Sequence, residues 1–247
     1  MSGLRCCVVI PALNEARTIR AVAEGCLRHF PDVVVVDDGS SDGTAACLDG
    51  LSVEVLRHPA PLGKARALVD GFRWALEHRF DAVLTLDGDG QHDAADLPRL
   101  AAVAERFPDH IVIGARLLAR ERQPRHRRFG NAFADWWVAW PCGQRIADTQ
   151  SGQRCYPRRV LELALDMRQQ GFVFETAILI EAADRGIATI SVPIAARYEP
   201  GARASHFRPL RDVSRITRLI AWRLIRGGLR LGHLWRALRS RPRIVEI

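Results

Sequence analysis

Short runs rich in valine and isoleucine alternate with longer segments of helical period through the first half of the chain. The runs are largely continuous rather than alternating, as expected for strands that are covered on both faces. Strands are predicted at 6–10, 33–37, 53–57, 82–87 and 111–115. The segments between them are predicted as helices at 15–30, 42–51, 64–80 and 94–107. This order predicts an α/β fold, a mostly parallel, doubly wound sheet flanked by helices.

The carboxyl ends of the predicted strands carry polar or turn-forming residues. In chain order these ends read PALNE, DDGSSDGT, HPAPLGKA, DGDGQHD and ARLLARERQPRHRR. Any one of them alone is most simply a solvated turn. Ligands of doubly wound sheets bind beyond the carboxyl ends of the strands. A whole edge of such ends therefore indicates a binding site.

Asp87 and Asp89 follow the fourth predicted strand, and each is followed by a glycine. Two carboxylates this close converge on one hard cation, Mg²⁺ or Mn²⁺, if the backbone turns between them, which glycine permits. A cation bridged to a diphosphate neutralises the charge on a departing nucleotide. The alternative, a turn with helix caps, better suits Asp93 and Asp96.

The other strand ends offer groups suited to a nucleotide. Asp37 and Asp38 could accept hydrogen bonds from a base or a ribose, or could simply belong to a turn before a helix. Lys64, the only lysine, follows a glycine and suits a phosphate as a compact charge. The first strand end supplies a wall for a planar base and polar contacts or helix caps: Pro11, Ala12, Asn14 and Glu15.

The formal net charge of +8 over 247 residues indicates an anionic partner: nucleic acid, a membrane surface or phosphorylated substrates. The six cysteines form no CxxC pair and are expected to be reduced core thiols. The sequence shows no signal peptide and no apolar run near the roughly 20 residues that a transmembrane helix needs. A cytoplasmic location is therefore expected.

Six motifs in order resemble the signatures of family 2 glycosyltransferases with the GT-A fold. They are VVIPALNE, VVVVDDGSSDGT, LGKARAL, LTLDGDGQHD, VIGAR and DTQSGQRCYPR. Within this family, the chain is most similar to dolichyl-phosphate mannosyltransferase-like and polyprenyl-phosphate sugar transferases. The resemblance spans roughly residues 6–207. It implies a GT-A catalytic domain over 1–207 and leaves 208–247 as a basic amphipathic helical tail.

The resemblance also implies roles for individual residues. The nucleoside and diphosphate of a nucleotide-sugar donor would be bound by Pro11, Ala12, Asn14, Glu15, Asp37 or Asp38, Gly39, Lys64, Asp87 and Gly88, with Asp37 favoured over Asp38. The metal site would comprise Asp87, Asp89 and Gln91, with Asp89 as the favoured direct ligand. The sugar and acceptor would be served by Arg116, Asp148, Gln150 and Glu175, and by a phosphate-binding loop with Arg203, Ser205 and His206.

The implied reaction is an inverting transfer of a sugar, assisted by Mg²⁺ or Mn²⁺. A polyprenyl phosphate acceptor is already anionic, so Asp148 would only position groups. A hydroxyl acceptor would instead require Asp148 as a general base. The sequence leaves both acceptors open. Two other classes remain as alternatives: a non-catalytic nucleotide sensor, and a nucleic-acid-binding protein, which leaves the carboxylate-rich strand ends unexplained.

In the second half, a strand and a helix are predicted over 152–165, a helix over 172–186 and a strand over 188–198. Trp136, Trp137 and Trp140 follow a basic stretch and suit either an ordinary core or a membrane interface.

The tail over 212–239 is predicted as one helix, or as two because of its paired glycines. One stripe is expected to face the core: Val213, Ile216, Ile220, Leu224, Leu231, Leu234, Trp235 and Leu238. The opposite face mixes arginines with Leu219, Trp222, Ile225 and Leu229. That face suits an anionic membrane, or a partner protein or dimer. We expect peripheral contact with the inner face of the cell membrane and no nucleic-acid partner, and the sequence leaves a homo-oligomer open.

Overall fold

A computed structural model of the chain describes residues 3–118, 125–167, 171, 173–195 and 209–246. Its strands are β1 (Cys6–Ala12), β2 (Val33–Asp37), β3 (Glu54–Arg57), β4 (Ala82–Thr85), β5 (Ile111–Leu118), β6 (Arg154–Pro157) and β7 (Thr189–Ala195). They form a 7-stranded sheet in the order β3-β2-β1-β4-β6-β5-β7. Only β6 runs antiparallel to its neighbours, β4 and β5. The prediction of a mostly parallel sheet is confirmed.

Helices cover both faces of this sheet. They are α1 (Ile19–Leu27), α2 (Lys64–Glu77), α3 (Leu97–Arg106), α4 (Arg125–Cys142), α5 (Arg158–Leu165), α6 (Val173–Asp184), α7 (Pro209–Arg226) and α8 (Leu231–Arg239). One hydrophobic core includes Cys7 and Val9 of β1 with residues of α2, α4, α5, α6 and α7. The other includes Val8 and Ile10 with residues of α1 and α3. Burial on both faces explains why β1, β2 and β4 are continuous apolar runs, whereas β3, EVLR, is partly exposed.

The helix predicted over 42–51 is wrong, because the structure has only a 3₁₀ turn at Ala46–Leu48. The Asp42 side chain accepts a hydrogen bond from the Thr44 N–H at 3.0 Å, which turns the backbone locally. Gly43 and Gly50 adopt left-handed backbone angles, with φ of 85° and 82°. These positions interrupt the helical period at both ends of the segment.

The Asp93 cap is confirmed, whereas the one expected of Asp96 is wrong. Asp93 accepts a hydrogen bond from the Ala95 N–H at 3.0 Å, at the start of a short 3₁₀ turn. Asp96 occupies the N-cap position, immediately before α3, but its side chain makes no capping hydrogen bond there. Its Oδ1 atom accepts a hydrogen bond from Arg99 at 2.9 Å instead. The guanidinium is the stronger, charged donor.

The elements predicted in the second half are present as β6, α5, α6 and β7. Trp137 and Trp140 of α4 are half-buried and pack against the core that includes Cys7 and Val9. Trp136 is also half-buried and lines a cavity instead. The core interpretation therefore describes two of these three tryptophans.

The tail forms two helices, as its glycines allowed, with a 3₁₀ turn at Gly228–Arg230 between them. Leu229 and Arg230 have φ of 59° and 46°, which breaks the helical period. The predicted core stripe is correct for the buried residues Ile216, Ile220 and Leu224. Leu234 of that stripe is half-buried. The stripe is wrong for four exposed residues: Val213, Leu231, Trp235 and Leu238. Beyond the turn, Ala237 faces the protein instead.

Candidate active site

The loops after β1 and β2 are joined to each other by hydrogen bonds. The Asn14 N–H donates to Ser40 Oγ at 2.8 Å, and Asn14 Oδ1 accepts from the Ser41 N–H at 2.9 Å. The Glu15 N–H donates to Thr44 Oγ1 at 2.8 Å. Asn14 has a left-handed φ of 56°, a conformation that asparagine tolerates better than most residues. The two polar strand ends therefore form one surface at the sheet edge.

Asp38 is committed to the loop that precedes α2. Its Oδ1 atom accepts from the Leu62 N–H at 2.8 Å and lies 2.7 Å from His58 Nδ1. Its Oδ2 atom accepts from the Gly63 N–H at 2.7 Å. These contacts fix the backbone immediately before Lys64, so the Asp38 carboxylate serves the loop.

Asp37 is fully buried at the end of β2. Its Oδ1 atom accepts from the Ser40 N–H at 2.9 Å. Among the described residues its Oδ2 atom has no hydrogen-bond partner, and the nearest cation, Arg57 Nε, lies 3.4 Å away. Gly39 follows with φ of 73°, and a Cβ there would lie 2.5 Å from the Ala60 carbonyl carbon. A buried carboxylate oxygen without a partner is suited to a ligand N–H or hydroxyl.

Lys64 lies between two carboxylates at the start of α2. Its Nζ atom is 2.7 Å from Asp87 Oδ1 and 3.1 Å from Glu175 Oε2. Burial alone would lower the pKa of Lys64, but the two carboxylates raise it above its usual value. Burial likewise opposes ionisation of Asp87, yet Lys64 keeps the pKa of Asp87 below its usual value. This ion pair joins the β4 end, α2 and α6.

Gly152 packs directly against Asp87. A Cβ at position 152 would lie 2.2 Å from Asp87 Oδ2, closer than any non-bonded contact allows. The glycine of the DTQSG motif is therefore required by the carboxylate of the DGDGQHD motif. This dependence is not evident from the sequence, because the two residues are far apart in the chain.

Asp89 lies in different surroundings from Asp87. Its Oδ1 atom accepts from the Gln91 N–H at 3.0 Å. Burial and the neighbouring Asp87 carboxylate raise the pKa of Asp89. A divalent cation would offset this repulsion, and carboxylate and amide oxygens are suitable donors for it. Among the described residues no group of three or more His, Cys, Asp or Glu side chains surrounds a metal position. A magnesium-type site that a diphosphate completes needs only one or two carboxylates from the protein. The small number of protein ligands here is compatible with such a site.

Arg116 and Asp148 form a bidentate ion pair. Arg116 Nε donates to Asp148 Oδ2 at 2.7 Å, and Arg116 Nη2 donates to Asp148 Oδ1 at 2.7 Å. The Arg116 backbone N–H also donates to Oδ2 at 2.9 Å. Burial would raise the pKa of Asp148, but these bonds lower it overall. Asp148 is thus a stable carboxylate and a weak proton acceptor.

Asp135 of α4 holds the loop that carries Asp148. Its Oδ1 atom accepts from the Thr149 N–H and the Thr149 hydroxyl, both at 2.8 Å. Its Oδ2 atom accepts from the Asp148 N–H at 3.2 Å. Asp148 has a left-handed φ of 55°, which these bonds support. In the sequence, Asp135 is an acidic residue among the aromatic residues of α4, and this feature could have identified it as a candidate.

Arg154 of β6 also holds the loop that carries Asp148. Its side chain is almost fully buried and donates to the carbonyls of Ser151 at 2.7 Å, Thr149 at 2.8 Å and Glu175 at 3.1 Å. It also donates to the Tyr156 hydroxyl at 3.1 Å. A charged residue in an otherwise apolar strand signalled a structural role that the sequence analysis did not use.

A cavity of about 230 Å³ lies beside the Arg116–Asp148 pair. Its walls include Trp136 of α4, Arg145 from the loop before Asp148, and Pro242 from the C-terminal segment. Two arginines and a tryptophan therefore line one space next to Asp148. Arg145 and Pro242 were not among the predicted site residues, because they come from separate parts of the chain.

His92 is a further residue that the sequence analysis did not assign. It is buried, and its Nδ1 atom has no hydrogen-bond partner among the described residues. Burial lowers the pKa of His92 to about 4, so the ring is neutral near pH 7. Asp87, Arg116 and Asp148 are near enough to influence its ionisation. Its position within the DGDGQHD motif could have identified His92 as a candidate site residue.

The remaining predicted residues lie at the same edge or outside the described structure. A Cβ at Gly88 would contact Pro11 O at 3.4 Å and Ala12 Cβ at 3.5 Å, which puts the β1 and β4 ends side by side. Gln150 Nε2 donates to Thr149 Oγ1 at 3.3 Å. The predicted phosphate-binding residues lie outside the described residues: Arg203, Ser205 and His206.

The chain is similar in sequence to known proteins. Residues 7–154 match the family model described as Glycosyl transferase family 2. The chain is 33% identical over 211 residues to glycosyltransferase AglJ of Haloferax volcanii, covering 83% of this chain and 67% of that protein. It is 31% identical over 205 residues to undecaprenyl-phosphate mannosyltransferase of Micrococcus luteus, covering 77% of this chain and 83% of that protein.

Among solved structures, the chain resembles glucosyl-3-phosphoglycerate synthase of Mycobacterium tuberculosis in complex with Mn²⁺, UDP-glucose and phosphoglyceric acid. The TM-score is 0.67 at 22% identity, covering 92% of this chain and 81% of that chain. At this identity the similarity concerns the fold alone, and it confirms the predicted fold.

Proposed function

Because the chain belongs to glycosyl transferase family 2, we propose that it transfers a sugar from a nucleotide-sugar donor to a polyprenyl phosphate. The transfer inverts the configuration of the anomeric carbon, since the acceptor attacks from the side opposite the departing diphosphate. The name of the Micrococcus luteus relative supports a lipid phosphate acceptor. The surroundings of Asp148 carry the proposal.

The donor half of the site lies at the ends of β1, β2 and β4. In this proposal Asp37 accepts a hydrogen bond from the nucleoside through its unpartnered oxygen. Asp89 and Gln91, with Asp87 beside them, hold Mg²⁺ or Mn²⁺, which supplies charge stabilisation for the diphosphate leaving group when bound. Lys64 keeps Asp87 ionised and oriented through its ion pair.

The acceptor half depends on Asp148. A general base must take a proton, and its efficiency falls as its pKa falls far below the working pH. The bidentate bonds from Arg116 lower the pKa of Asp148, so Asp148 is poorly suited to deprotonate a hydroxyl group. A phosphate oxygen is already anionic and needs no base. The geometry therefore favours a phosphate acceptor over a hydroxyl acceptor.

The cavity beside Asp148 offers suitable groups for that phosphate. Arg116 and Arg145 both line it, and guanidinium groups bind phosphate oxygens through paired hydrogen bonds. Trp136 adds an apolar wall next to these charges, which suits the junction between a phosphate and a prenyl chain. In this account Asp148 orients Arg116, and Asp135 holds Asp148. We place the reaction at the cytoplasmic face of the cell membrane, where the lipid acceptor is accessible.

The proposal is tested by incubating the full chain with UDP-, GDP- and dTDP-sugars, Mn²⁺ and a bacterial lipid extract. Mass spectrometry of the lipids should reveal a polyprenyl phosphate carrying one added sugar. Chelation of the metal and the Asp89→Asn substitution should each abolish the product, while Asp89→Asn should leave the fold intact. Failure of every donor, or a product lacking the phosphate, would refute the proposal.

A further inference from the structure

Large apolar side chains are exposed on the outer surface of the two tail helices. We define the α7–α8 apolar face as Trp222, Ile225, Leu229, Leu231, Trp235 and Leu238. Ile225 is 73% exposed and Leu231 is 64% exposed. The opposite sides of the two helices are anchored in the protein by the buried Leu224 and Ala237. An exposed cluster of this kind marks an interaction surface.

Arginines surround this face. Arg226 lies over the Trp222 ring at 4.8 Å from its centroid, and Arg239 lies over the Trp235 ring at 4.0 Å. Residues 213–245 contain no Asp or Glu. Exposed arginines of the two helices therefore have no carboxylate within their own part of the chain: Arg215, Arg218, Arg226, Arg236 and Arg239. The face is apolar and strongly positive at once.

The turn between α7 and α8 is fastened to the body of the protein. Trp140 Nε1 donates to the Leu229 carbonyl at 2.9 Å, and Arg230 donates to the Pro141 carbonyl at 3.2 Å. Arg230 also forms a two-point ion pair with Asp184. These bonds hold the two left-handed residues of the turn and fix the direction of α8. The α7–α8 apolar face is thus part of the folded body of the protein.

The same region of the chain leads to the acceptor cavity. Shortly beyond the end of α8, Pro242 lines the cavity beside Arg116 and Asp148. Trp136 of α4 lines it from another side, and α4 packs against both α7 and α8. A surface bound by the tail helices would therefore lie near the proposed acceptor site.

We infer that the α7–α8 apolar face docks on an anionic lipid bilayer. Its tryptophans and aliphatic side chains enter the boundary between head groups and acyl chains, and the arginines around them contact lipid phosphates. The inference rests on the proposed function, because it identifies the surface through which a transferase with a lipid acceptor would contact the membrane. Among the described residues no helix has the length and apolar character needed to cross a membrane.

The combination of charges and apolar groups favours lipid over other anionic partners. A nucleic acid backbone would satisfy the arginines but would leave Ile225, Leu231 and Leu238 exposed to water. A protein partner would need carboxylates spread around an apolar centre to match a surface without any of its own. A bilayer of anionic lipids supplies phosphates and an apolar layer over the whole surface.

Vesicle flotation of the full chain tests this inference. The protein should float with vesicles of phosphatidylcholine and phosphatidylglycerol and should remain below vesicles of phosphatidylcholine alone. The double variant Ile225→Ser and Leu231→Ser should bind the anionic vesicles about tenfold or more weakly, because two aliphatic side chains no longer enter the lipid. Val213→Ser is the matched control, since Val213 is exposed on α7 outside the face.

Transfer to a water-soluble, short-chain prenyl phosphate separates docking from catalysis. The double variant should retain this transfer while losing flotation. Docking is refuted if the native chain fails to float with anionic vesicles, or if the double variant floats as well as the native chain. It is also refuted if the face instead proves to join two copies or to bind nucleic acid without vesicle binding. Flotation without transfer from any donor would retain docking and refute the proposed function.

Discussion

At the scale of single residues, Asp37 and Asp38 show how neighbours with the same side chain acquire different tasks. Asp38 accepts two backbone N–H groups and contacts His58, so it determines the loop before Lys64. Asp37 uses one oxygen for the Ser40 N–H and leaves the other without a hydrogen-bond partner among the described residues, 3.4 Å from Arg57 Nε. The sequence alone offered both as nucleoside ligands, because their surroundings depend on residues distant in the chain.

Substitution of each aspartate by asparagine separates these tasks. Asp37→Asn should weaken nucleotide-sugar binding by about 10- to 100-fold, because a hydrogen bond to a charged acceptor is lost. Asp38→Asn should lower the free energy of unfolding by about 1–3 kcal/mol, because an amide cannot accept from all its present donors. Titration calorimetry and denaturant unfolding measure the two effects. Equal losses of affinity and stability in both variants would contradict the division of tasks.

The Arg116–Asp148 pair makes a prediction about acid stability. Asp148 has a lowered pKa in the folded protein, so the pair contributes stability above the unfolded aspartate pKa of about 3.9. That contribution is lost as the pH falls through the lower pKa of the folded state. Arg116→Gln removes the cause of the shift. The midpoint of acid unfolding, followed by circular dichroism, should therefore move to higher pH. An unchanged midpoint would show that Arg116 does not stabilise the Asp148 carboxylate.

At the scale of elements, the site depends on contacts between motifs. The DTQSG loop lies between α4 and β6, and it contacts the end of β4 through Gly152 and Asp87. Asp135 and Arg154 both hold that loop through hydrogen bonds to the Thr149 backbone. The loop therefore couples the proposed donor half of the site to the proposed acceptor half.

Gly152→Ala tests this coupling. The added Cβ would lie 2.2 Å from Asp87 Oδ2, so the Asp87–Lys64 pair must shift. We expect at least a tenfold loss of transfer activity. Gly232→Ala is the matched control, because nothing lies within 4 Å of a Cβ there and φ is not left-handed. Similar activity in the two variants would contradict the proposed contact between motifs.

The elements also show what sequence patterns can predict. The alternation of apolar runs and helical segments predicted the strands because both faces of the sheet are buried. The helix prediction over 42–51 was wrong because Asp42 and two glycines determine the local backbone conformation. The prediction of a core-facing stripe in the tail was wrong beyond the turn. It assumed a continuous helical period, which Leu229 and Arg230 interrupt. Local patterns thus predict regular elements and miss the turns that end them.

At the scale of the whole molecule, the candidate site is assembled from distant segments. The strand ends of the first half could be predicted because a parallel sheet brings its carboxyl ends to one edge. Arg145, Trp136 and Pro242 join the acceptor cavity through the packing of α4 and the C-terminal segment. No sequence spacing encodes that packing. Sequence patterns therefore indicate the edge formed by the strand ends more readily than they indicate the cavity beside Asp148.

We propose that this site transfers sugar to a phosphate, with Asp148 positioning Arg116 and taking no proton. The most direct measurement compares two matched acceptors, a polyprenyl phosphate and the polyprenol of the same length, with the same nucleotide-sugar donor. We expect transfer to the polyprenyl phosphate and at least a hundredfold slower transfer to the polyprenol, because the guanidinium-bound Asp148 is a weak base. Comparable transfer to the polyprenol would contradict the claim.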